Sequence, residues 1–151
     1  GLCQESLRQH QDAMTAYQQA LSRYQELHVR EWAAKSAFRL GYVAQALKTY
    51  PQAIIYYQQA VALCQSWGNR QYHADACYNL GMCHEALQQY KEAIGCYQVA
   101  LALYQEIADV YWQTRALLAL GKMHDHLRQT SQADQCYLKA LDPILQLFQK
   151  S

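Results

Sequence analysis

The sequence predicts an all-α fold, a solenoid of antiparallel helix pairs with about three and a half repeats of roughly 40 residues each. The first observation behind it is a recurring pattern, in which Gly81 is followed by Ala93, Tyr97 and Ala100. The same residue types recur at the same spacing one unit later and one and two units earlier, at Gly121, Ala133, Tyr137, Ala140, Gly41, Ala53, Tyr57, Ala60, Gly1, Ala13, Tyr17 and Ala20. A fixed period in this range is typical of repeat arrays.

Two further observations predict the helix pairs. Within the unit 29–68, apolar residues recur at three- and four-residue spacing over about 31–47, which indicates one face of a helix, called helix A. A second such pattern, helix B, follows after a break of three residues. Only two Pro and six Gly occur in 151 residues, so connections are short and the paired helices are expected to be antiparallel neighbours.

Each helix end has a local explanation. In the unit 29–68, helix B opens at Pro51, whose missing N–H costs nothing in a first helical turn. Gly68 ends that helix and Asn69 caps the next one. Ser131 and Asp134 are spaced almost as a capping box at the start of the last helix B.

The remaining units follow the same plan. The unit 69–108 places its helices at about 70–87 and 91–107, and the unit 109–148 places them at about 109–127 and 131–141. A half unit, 1–28, comes first, and we expect its residues 2–7 to end a helix A and residues 11–28 to form a helix B. Because the chain begins part-way through a repeat and with Gly rather than Met, we expect a single repeat domain, 1–151, from a longer protein.

The repeated glycines have a steric interpretation. Gly41, Gly81 and Gly121 fall inside helix A, where each Gly costs about 1 kcal/mol relative to Ala. A cost that recurs in every unit predicts a recurring need for close approach of helix B to helix A. We expect the tyrosine column, typified by Tyr57, to fill the space that remains between units.

Composition excludes several classes of function. The 13 basic and 12 acidic residues leave a net charge of +1, which argues against general affinity for nucleic acid or anionic membranes. No apolar run reaches the roughly 18 residues of a membrane span. All six cysteines lie within predicted helices and none forms a CxxC pair, so we expect reduced, buried thiols in a cytoplasmic protein.

These columns resemble the tetratricopeptide repeat, which carries a leucine–glycine pair in helix A and an alanine, aromatic, alanine series in helix B. The pair stands at Leu40–Gly41, Leu80–Gly81 and Leu120–Gly121. The unit is longer than the usual repeat of that family, which has about 34 residues. The usual helix A tryptophan is replaced by Ala37, Cys77 and Leu117. This longer form is similar to the Pins/LGN polarity adaptors and to bacterial scaffold arrays. The resemblance implies a right-handed superhelix whose A helices line a concave groove.

In that family the groove binds peptides or partner segments, so the resemblance also implies a set of binding residues. Relative to each glycine they stand six, three and two positions before it and one and four positions after it. The positions are Lys35, Phe38, Arg39, Tyr42, Gln45, Asp75, Tyr78, Asn79, Met82, Glu85, Arg115, Leu118, Ala119, Lys122 and Asp125. Aromatics and amides mixed with both signs of charge favour a ligand groove, and the alternative is a merely amphipathic solvated face.

Two of these residues carry the clearest chemistry. The Asn79 amide can donate to and accept from a peptide backbone without selecting its sequence. Arg39, in the same column one unit earlier, can pair with a ligand carboxylate. The Lys and Asn set that clamps a chaperone's C-terminal carboxylate in some relatives is not reproduced, and Asp75 and Glu85 would oppose such a ligand.

Neither an active site nor a cofactor site is predicted. His84 and His124 share a column and His126 lies nearby, but neighbouring A helices lie roughly 10 Å apart, too far for a shared metal ion. No catalytic triad and no glycine-rich phosphate loop has supporting context. We therefore expect a non-enzymatic protein with no cofactor.

The end of the chain departs from the pattern. Pro143 falls inside the last helix B, where we expect a kink or a restart capped by Asp142. Apolar residues follow at Ile144, Leu145, Leu147 and Phe148, although the end of a repeat array normally has a polar outer face. Three interpretations stay open: further repeats follow, the tail folds back as a cap, or two copies pair through their ends.

Three functions are compatible with this sequence. The first is a protein-interaction module that binds a peptide or partner helix in its groove, without nucleic acid or membrane. The second is a structural or self-assembly segment that forms a homo-oligomer through its ends. The third is a regulatory repeat domain of a larger signalling protein.

Overall fold

The computed structural model describes residues 2–149, without the side chains of Leu2 and Leu147. Every element of secondary structure in this part of the chain is an α-helix, and each helix packs against its neighbours in sequence. The elements are α1 (Leu2–Glu26), α2 (Arg30–Ala46), α3 (Tyr50–Trp67), α4 (Arg70–Ala86), α5 (Tyr90–Glu106), α6 (Val110–His126) and α7 (Thr130–Gln149). The predicted all-α fold class is confirmed, with α2, α4 and α6 in the place of helix A and the others in the place of helix B.

The glycine column marks the closest approach of the two helices in a pair. A Cβ added to Gly41, Gly81 or Gly121 would lie 2.7, 2.8 or 2.5 Å from the ring of the column tyrosine in the helix B that follows, at Tyr57, Tyr97 and Tyr137. The predicted steric reason therefore holds, and the group that needs the space is the tyrosine ring. The Tyr57 ring also packs in one cluster with Leu80 and Cys83 of α4, as expected of a side chain between units.

Each of the six connections between helices in the described range uses one residue with a left-handed backbone. Gly68 is the connection that the sequence predicts: its φ is 85°, its N–H donates to the Cys64 carbonyl at 2.7 Å, and the Asn69 side chain accepts from the Tyr72 N–H at 2.9 Å. The other five left-handed residues carry side chains, with φ between 56° and 60°, and are His28, Lys48, Gln88, Ala108 and Arg128. The sequence does not mark these five positions, because no Gly or Asn stands there.

The predicted break in the first half unit is wrong. Residues 2–7 and 11–28 were expected to belong to two helices, but α1 runs without interruption from Leu2 to Glu26. Fixing a turn costs conformational entropy, and a helix of six residues buries too little apolar surface to offset that cost. Continuing the helix satisfies the same backbone groups without a turn.

Helix α7 corrects the last element in two respects. It begins at Thr130 rather than at Ser131, so the Ser131–Asp134 spacing does not form its cap. It also continues through Pro143 to Gln149, so no restart at Asp142 occurs. Proline removes the hydrogen bond to the carbonyl four residues earlier, that of Lys139, and Lys139 lies on an exposed part of the helix where water can replace the lost donor.

The cysteines occupy mixed environments. Cys64, Cys77 and Cys83 are buried as predicted, and burial raises the pKa of the Cys77 and Cys83 thiols to about 12. Cys96 and Cys136 are half-buried. The prediction is wrong for Cys3, which is exposed because its segment continues α1 instead of packing as a helix A.

No helix within residues 2–149 combines the length and the apolar content that crossing a membrane requires.

Candidate functional site

Most of the predicted groove residues of α4 and α6 line one depression between these two helices. This open depression has a volume of about 310 Å³ and is here called the α4–α6 pocket. Its lining residues are Tyr78, Met82, Glu85, Tyr97, Arg115, Leu118, Ala119 and Lys122. All of them except Tyr97 were predicted from the sequence. A larger concavity of about 560 Å³ borders α1, but it is lined by residues 18–27, at the end of that single helix.

The floor of the α4–α6 pocket is aromatic and apolar. The Tyr78 ring packs between Tyr97 and Trp112, with centroid distances of 5.3 Å to each. Met82 and Leu118 leave part of their side chains exposed beside it. An apolar ligand group could therefore bury itself against this floor without moving the helices.

The rim of the pocket is charged. Lys122 Nζ lies 3.0 Å from Glu85 Oε1, and the Tyr97 hydroxyl donates to Glu85 Oε2 at 3.0 Å. Arg115 donates to the Tyr111 hydroxyl at 3.2 Å, and its guanidinium lies 5.3 Å from the centroid of Trp112. The negative charge of Glu85 is thus already paired with the positive charge of Lys122. Arg115 has no acidic partner among residues 2–149.

The space between α2 and α4 is filled differently. Lys35 Nζ lies 2.9 Å from Glu31 and 4.6 Å from the centroid of Trp32, and it also approaches the rings of Trp67 and Tyr72. The Glu31 hydrogen bond holds the pKa of Lys35 above its ordinary value. Lys35 therefore makes intramolecular contacts, and its role in ligand binding stays a prediction.

The other predicted residues of α2 divide into two groups. Phe38 packs edge-on against Tyr57 and Tyr72, at 5.6 and 5.8 Å, and is part of the core. Arg39 and Tyr42 do not share that packing, and Tyr42 is 55% exposed. In the described part of the chain, Arg39 makes neither a hydrogen bond nor an ion pair, so it remains available to a partner.

A hydrogen bond that was not predicted from the sequence recurs in every complete unit. The tyrosine hydroxyl of helix B donates to the residue four positions after the glycine of helix A: Tyr57 to Gln45 at 2.6 Å, Tyr97 to Glu85 at 3.0 Å and Tyr137 to Asp125 at 2.7 Å. The signal was present as a polar acceptor at a constant spacing before each tyrosine. These three groove positions consequently have a structural role.

Each of these hydroxyls is held in its neutral form. Burial raises the pKa of Tyr57 and Tyr97, and the hydrogen bond to Asp125 raises the pKa of Tyr137 to about 12.

Asp75 and Asn79 are also committed within the chain. The Tyr104 hydroxyl donates to Asp75 Oδ1 at 2.6 Å, and Gln71 donates to the same carboxylate. Asn79 Nδ2 donates to the Asp75 backbone carbonyl at 2.8 Å. One N–H and the carbonyl oxygen of the Asn79 side chain remain for a ligand, one donor fewer than a free side-chain amide offers.

The histidines make structural contacts. His84 and His124 hydrogen-bond the glutamine five residues later, at 2.7 and 2.6 Å, and His126 stacks on Tyr90 with a centroid distance of 4.4 Å. Over residues 2–149, no three His, Cys, Asp or Glu side chains come together as metal ligands.

Paired helices stacked in register, with a tyrosine ring against a glycine in each pair, define a helical repeat protein. The tetratricopeptide repeat model matches residues 32–106 and 72–142, and a second model of that description matches residues 1–26. The chain therefore belongs to the tetratricopeptide repeat family, whose members are generally protein-interaction modules. The comparison with curated proteins finds no match.

Solved structures agree with this fold. The tetratricopeptide repeat domain of Arabidopsis FLU has a TM-score of 0.71 at 19% identity, covering 78% of this chain and 98% of that domain. Aspartyl phosphate phosphatase F from Bacillus subtilis has a TM-score of 0.79 at 22% identity, covering 90% of this chain and 36% of that protein. A Rap protein complexed with Competence and Sporulation Factor has a TM-score of 0.69 at 20% identity, covering 88% of this chain and 38% of that protein. This chain thus spans well under half of the last two proteins, and identities this low establish the fold alone.

Proposed function

We propose that this chain is a protein-interaction module that holds an extended segment of a partner protein along α2, α4 and α6, in the cytoplasm and without catalysis. The observation that carries the proposal is the α4–α6 pocket, which combines an apolar floor with a cationic rim. The Rap protein complexed with Competence and Sporulation Factor has a related fold and supports the idea that such an array accommodates a ligand. The likeness to a protein named a phosphatase concerns the fold, so we do not propose phosphatase activity.

The charges of the groove favour a ligand with a carboxylate beside an apolar side chain. The groove acids already accept hydrogen bonds or an ion pair: Asp75 from Tyr104, Glu85 from Tyr97 and Lys122, and Asp125 from Tyr137. Among the described residues, the groove cations that have no acidic partner are Arg39 and Arg115. A carboxylate that reached Arg115 could pair with it side-on while the neighbouring apolar group covered Tyr78.

Fluorescence anisotropy with a panel of labelled peptides tests this proposal. The panel varies an acidic residue and an apolar residue at adjacent positions. We expect the acidic–apolar peptides to bind in the micromolar range, about −8 kcal/mol. Arg115→Gln should weaken that binding about tenfold or more by removing the charge-assisted pair with the ligand carboxylate. Arg8→Gln, which removes an exposed arginine from α1, is the matched control and should change nothing.

Equal affinity of the wild type and Arg115→Gln would refute the pocket assignment. Equal binding of acidic and neutral peptides would refute the ligand chemistry while leaving a groove-binding module intact. The variants remain helical in circular dichroism if the change is confined to the site.

A second candidate function is structural association through the last helix. Leu138, Leu141, Ile144 and Leu145 of α7 are all exposed, so one side of this helix presents apolar side chains to solvent. Deletion of residues 144–151 should abolish any self-association seen by light scattering and leave groove binding unchanged. A clean monomer at high concentration would count against this function.

The placement within the family is also a proposal. The long repeat period and the substituted tryptophan column support membership in the long-repeat group that includes Pins/LGN-type adaptors and bacterial scaffolds. In such a group the chain could also serve as the regulatory part of a larger signalling protein. Partner capture with the chain, followed by mapping of the bound segment, distinguishes an adaptor from a regulatory domain.

A further inference from the structure

Three aromatic rings from three different helices surround one side-chain ammonium beside α2. Trp32 belongs to α2, Trp67 is the last residue of α3, and Tyr72 lies near the start of α4. Lys35 Nζ lies 4.6 Å from the ring centroid of the first, 5.7 Å from the second and 5.9 Å from the third. Glu31 Oε1 lies 2.9 Å from the same nitrogen and adds a negative charge. The three rings are here called the ammonium cage.

The rings of the ammonium cage are held in place by neighbours other than the ammonium. Trp32 stacks on Tyr24 of α1, with a centroid distance of 6.0 Å. Trp67 and Tyr72 contact each other at 5.5 Å, and Tyr72 also packs edge-on against Phe38 at 5.8 Å. The rings therefore do not depend on the ammonium for their positions and would stay in place if it left.

The dimensions of the cage suit a cation larger than a primary ammonium. In a methylated ammonium each methyl carbon lies about 1.5 Å from the nitrogen, and a carbon atom contacts a ring at roughly 3.5–4.0 Å. A ring face is then about 5–5.5 Å from the nitrogen. The three measured distances, 4.6 to 5.9 Å, lie around this range, so methyl groups could contact all three rings at once. The Lys35 ammonium is close to one ring and near the roughly 6 Å limit of attraction for the other two.

Lys35 is a replaceable occupant of the cage. Its hydrogen bond to Glu31 raises its pKa, so the group that occupies the cage is a cation. The two side chains stand four residues apart on α2 and are 29% and 44% exposed, and exposed pairs of this kind stabilise a protein little. A primary ammonium is also strongly hydrated, so it regains favourable contacts with water when it leaves. Because Trp32 is 50% exposed, the cage is accessible from solvent.

We propose that the ammonium cage is a binding site for a quaternary ammonium group, such as that of choline or of a trimethylated lysine, and that Lys35 occupies it when no ligand is bound. A quaternary group is attracted to the ring faces and cannot form the hydrogen bonds with water that a primary ammonium forms. The site shares no residue with the α4–α6 pocket, so it does not depend on the function proposed for that pocket.

Titration calorimetry of the whole chain with choline tests the proposal. We expect saturable binding of one choline per chain. The matched probe is the neutral isostere, in which a tert-butyl group replaces the trimethylammonium group. It should bind at least about tenfold more weakly, because the ring faces attract the charge. NMR of the indole N–H groups locates the site: the signals of Trp32 and Trp67 should shift with choline, and that of Trp112, outside the cage, should not.

Two pairs of variants separate the cage from its surroundings. Lys35→Ala removes the resident ammonium and should tighten choline binding about five- to tenfold, because the ligand no longer competes with it. Lys122→Ala is the matched control, since it removes a groove lysine outside the cage and should change nothing. Trp32→Leu should weaken binding at least about fivefold. Tyr42→Leu, which removes an exposed aromatic ring elsewhere on α2, should bind as the wild type does.

A peptide pair distinguishes the two sources of the ligand group. One peptide carries a central trimethylated lysine between glycines, and the other carries an unmodified lysine. The trimethylated peptide should bind and the unmodified one should bind at least about fivefold more weakly, because its primary ammonium stays hydrated. Tighter binding of the trimethylated peptide than of choline supports the site and indicates a modified partner protein as the source. Tighter binding of choline supports the site and indicates a free small cation or a lipid headgroup.

Four results would overturn the proposal. One is the absence of saturable choline binding to both the wild type and Lys35→Ala. Another is equal affinity for the neutral isostere, which would indicate apolar contact alone. The third is weaker binding by Lys35→Ala, because Lys35 would then be part of the site and not its occupant. The fourth is a trimethylated Lys35 in peptide mass spectrometry, because the cage would then hold the chain's own modified side chain. Thermal melting confirms that each variant compared is folded.

Discussion

The half unit formed by α1 and the complete units that follow share a sequence pattern but differ in structure. Leu127, Arg128 and Gln129 form the connection between α6 and α7, in which Arg128 has a φ of 58°. The same three residue types stand at 7–9, yet there they continue α1 without a turn. The complete unit has a full helix A before the turn, and the half unit has only a few residues.

The difference shows that the repeat motif does not fold through local preference. A left-handed residue with a side chain costs about 1–2 kcal/mol, so the turn needs compensation from packing. In a complete unit the tyrosine ring packs over the glycine and donates to an acceptor on helix A, as Tyr97 does with Gly81 and Glu85. In α1 the equivalent acceptor position, Glu5, lies on the same helix as Tyr17 and out of its reach.

The largest expected effect comes from filling the space over the glycine. Gly81→Ala should lower the free energy of unfolding by about 1–2 kcal/mol, because overpacking against Tyr97 outweighs the gain of roughly 1 kcal/mol in helix propensity. Gly95→Ala is the matched control, since a Cβ there meets nothing within 4 Å, and it should stabilise α5. Urea denaturation followed by circular dichroism measures both. If both variants are stabilised, the glycine column is not a packing requirement.

A smaller difference in the free energy of unfolding is expected when the tyrosine of a complete unit and the tyrosine of α1 are each changed to phenylalanine. Tyr97→Phe removes the donor to Glu85 and should cost about 1 kcal/mol. Tyr17→Phe should change stability by much less, because in the described residues no hydrogen bond joins its hydroxyl to a helix A acceptor. The same denaturation experiment compares the two. If both variants lose the same free energy of unfolding, the Tyr97 hydroxyl contributes no more to stability than a hydroxyl that is bonded to water.

The comparison also explains how far the sequence could predict the molecule. The period, the helix pairs and the Gly68–Asn69 connection were predictable because they depend on spacing and on residue types with strong local preferences. The continuous α1 and the five left-handed residues with side chains were not, because their conformation depends on what packs nearby.

The candidate site divides in the same way. Seven of the eight residues that line the α4–α6 pocket follow from the column positions. What the columns could not supply is the partner of each side chain. Lys35 and Arg115 occupy one column, yet Lys35 pairs with Glu31 among aromatic rings and Arg115 has no acidic partner in the described residues. That difference depends on the residues at positions 31 and 67 and at the equivalent positions of the later units. Glu31, for example, is replaced by Tyr111 beside Arg115.

The smallest expected effect concerns the sign of a stability change. The same arginine-to-glycine substitution should stabilise the complete unit and destabilise α1, which makes it the sharpest test of the comparison. Arg128→Gly places glycine at a left-handed position and should stabilise the chain by about 0.5 kcal/mol, after the greater entropy of the unfolded chain is counted. Arg8→Gly makes the same change in the same local sequence, but inside α1, where it should destabilise the helix by about 0.5–1 kcal/mol. Thermal melting under identical conditions gives both values. Stabilisation by Arg8→Gly would indicate that the first unit turns at that residue as the later units do, and it would restore the two-helix interpretation of residues 2–28.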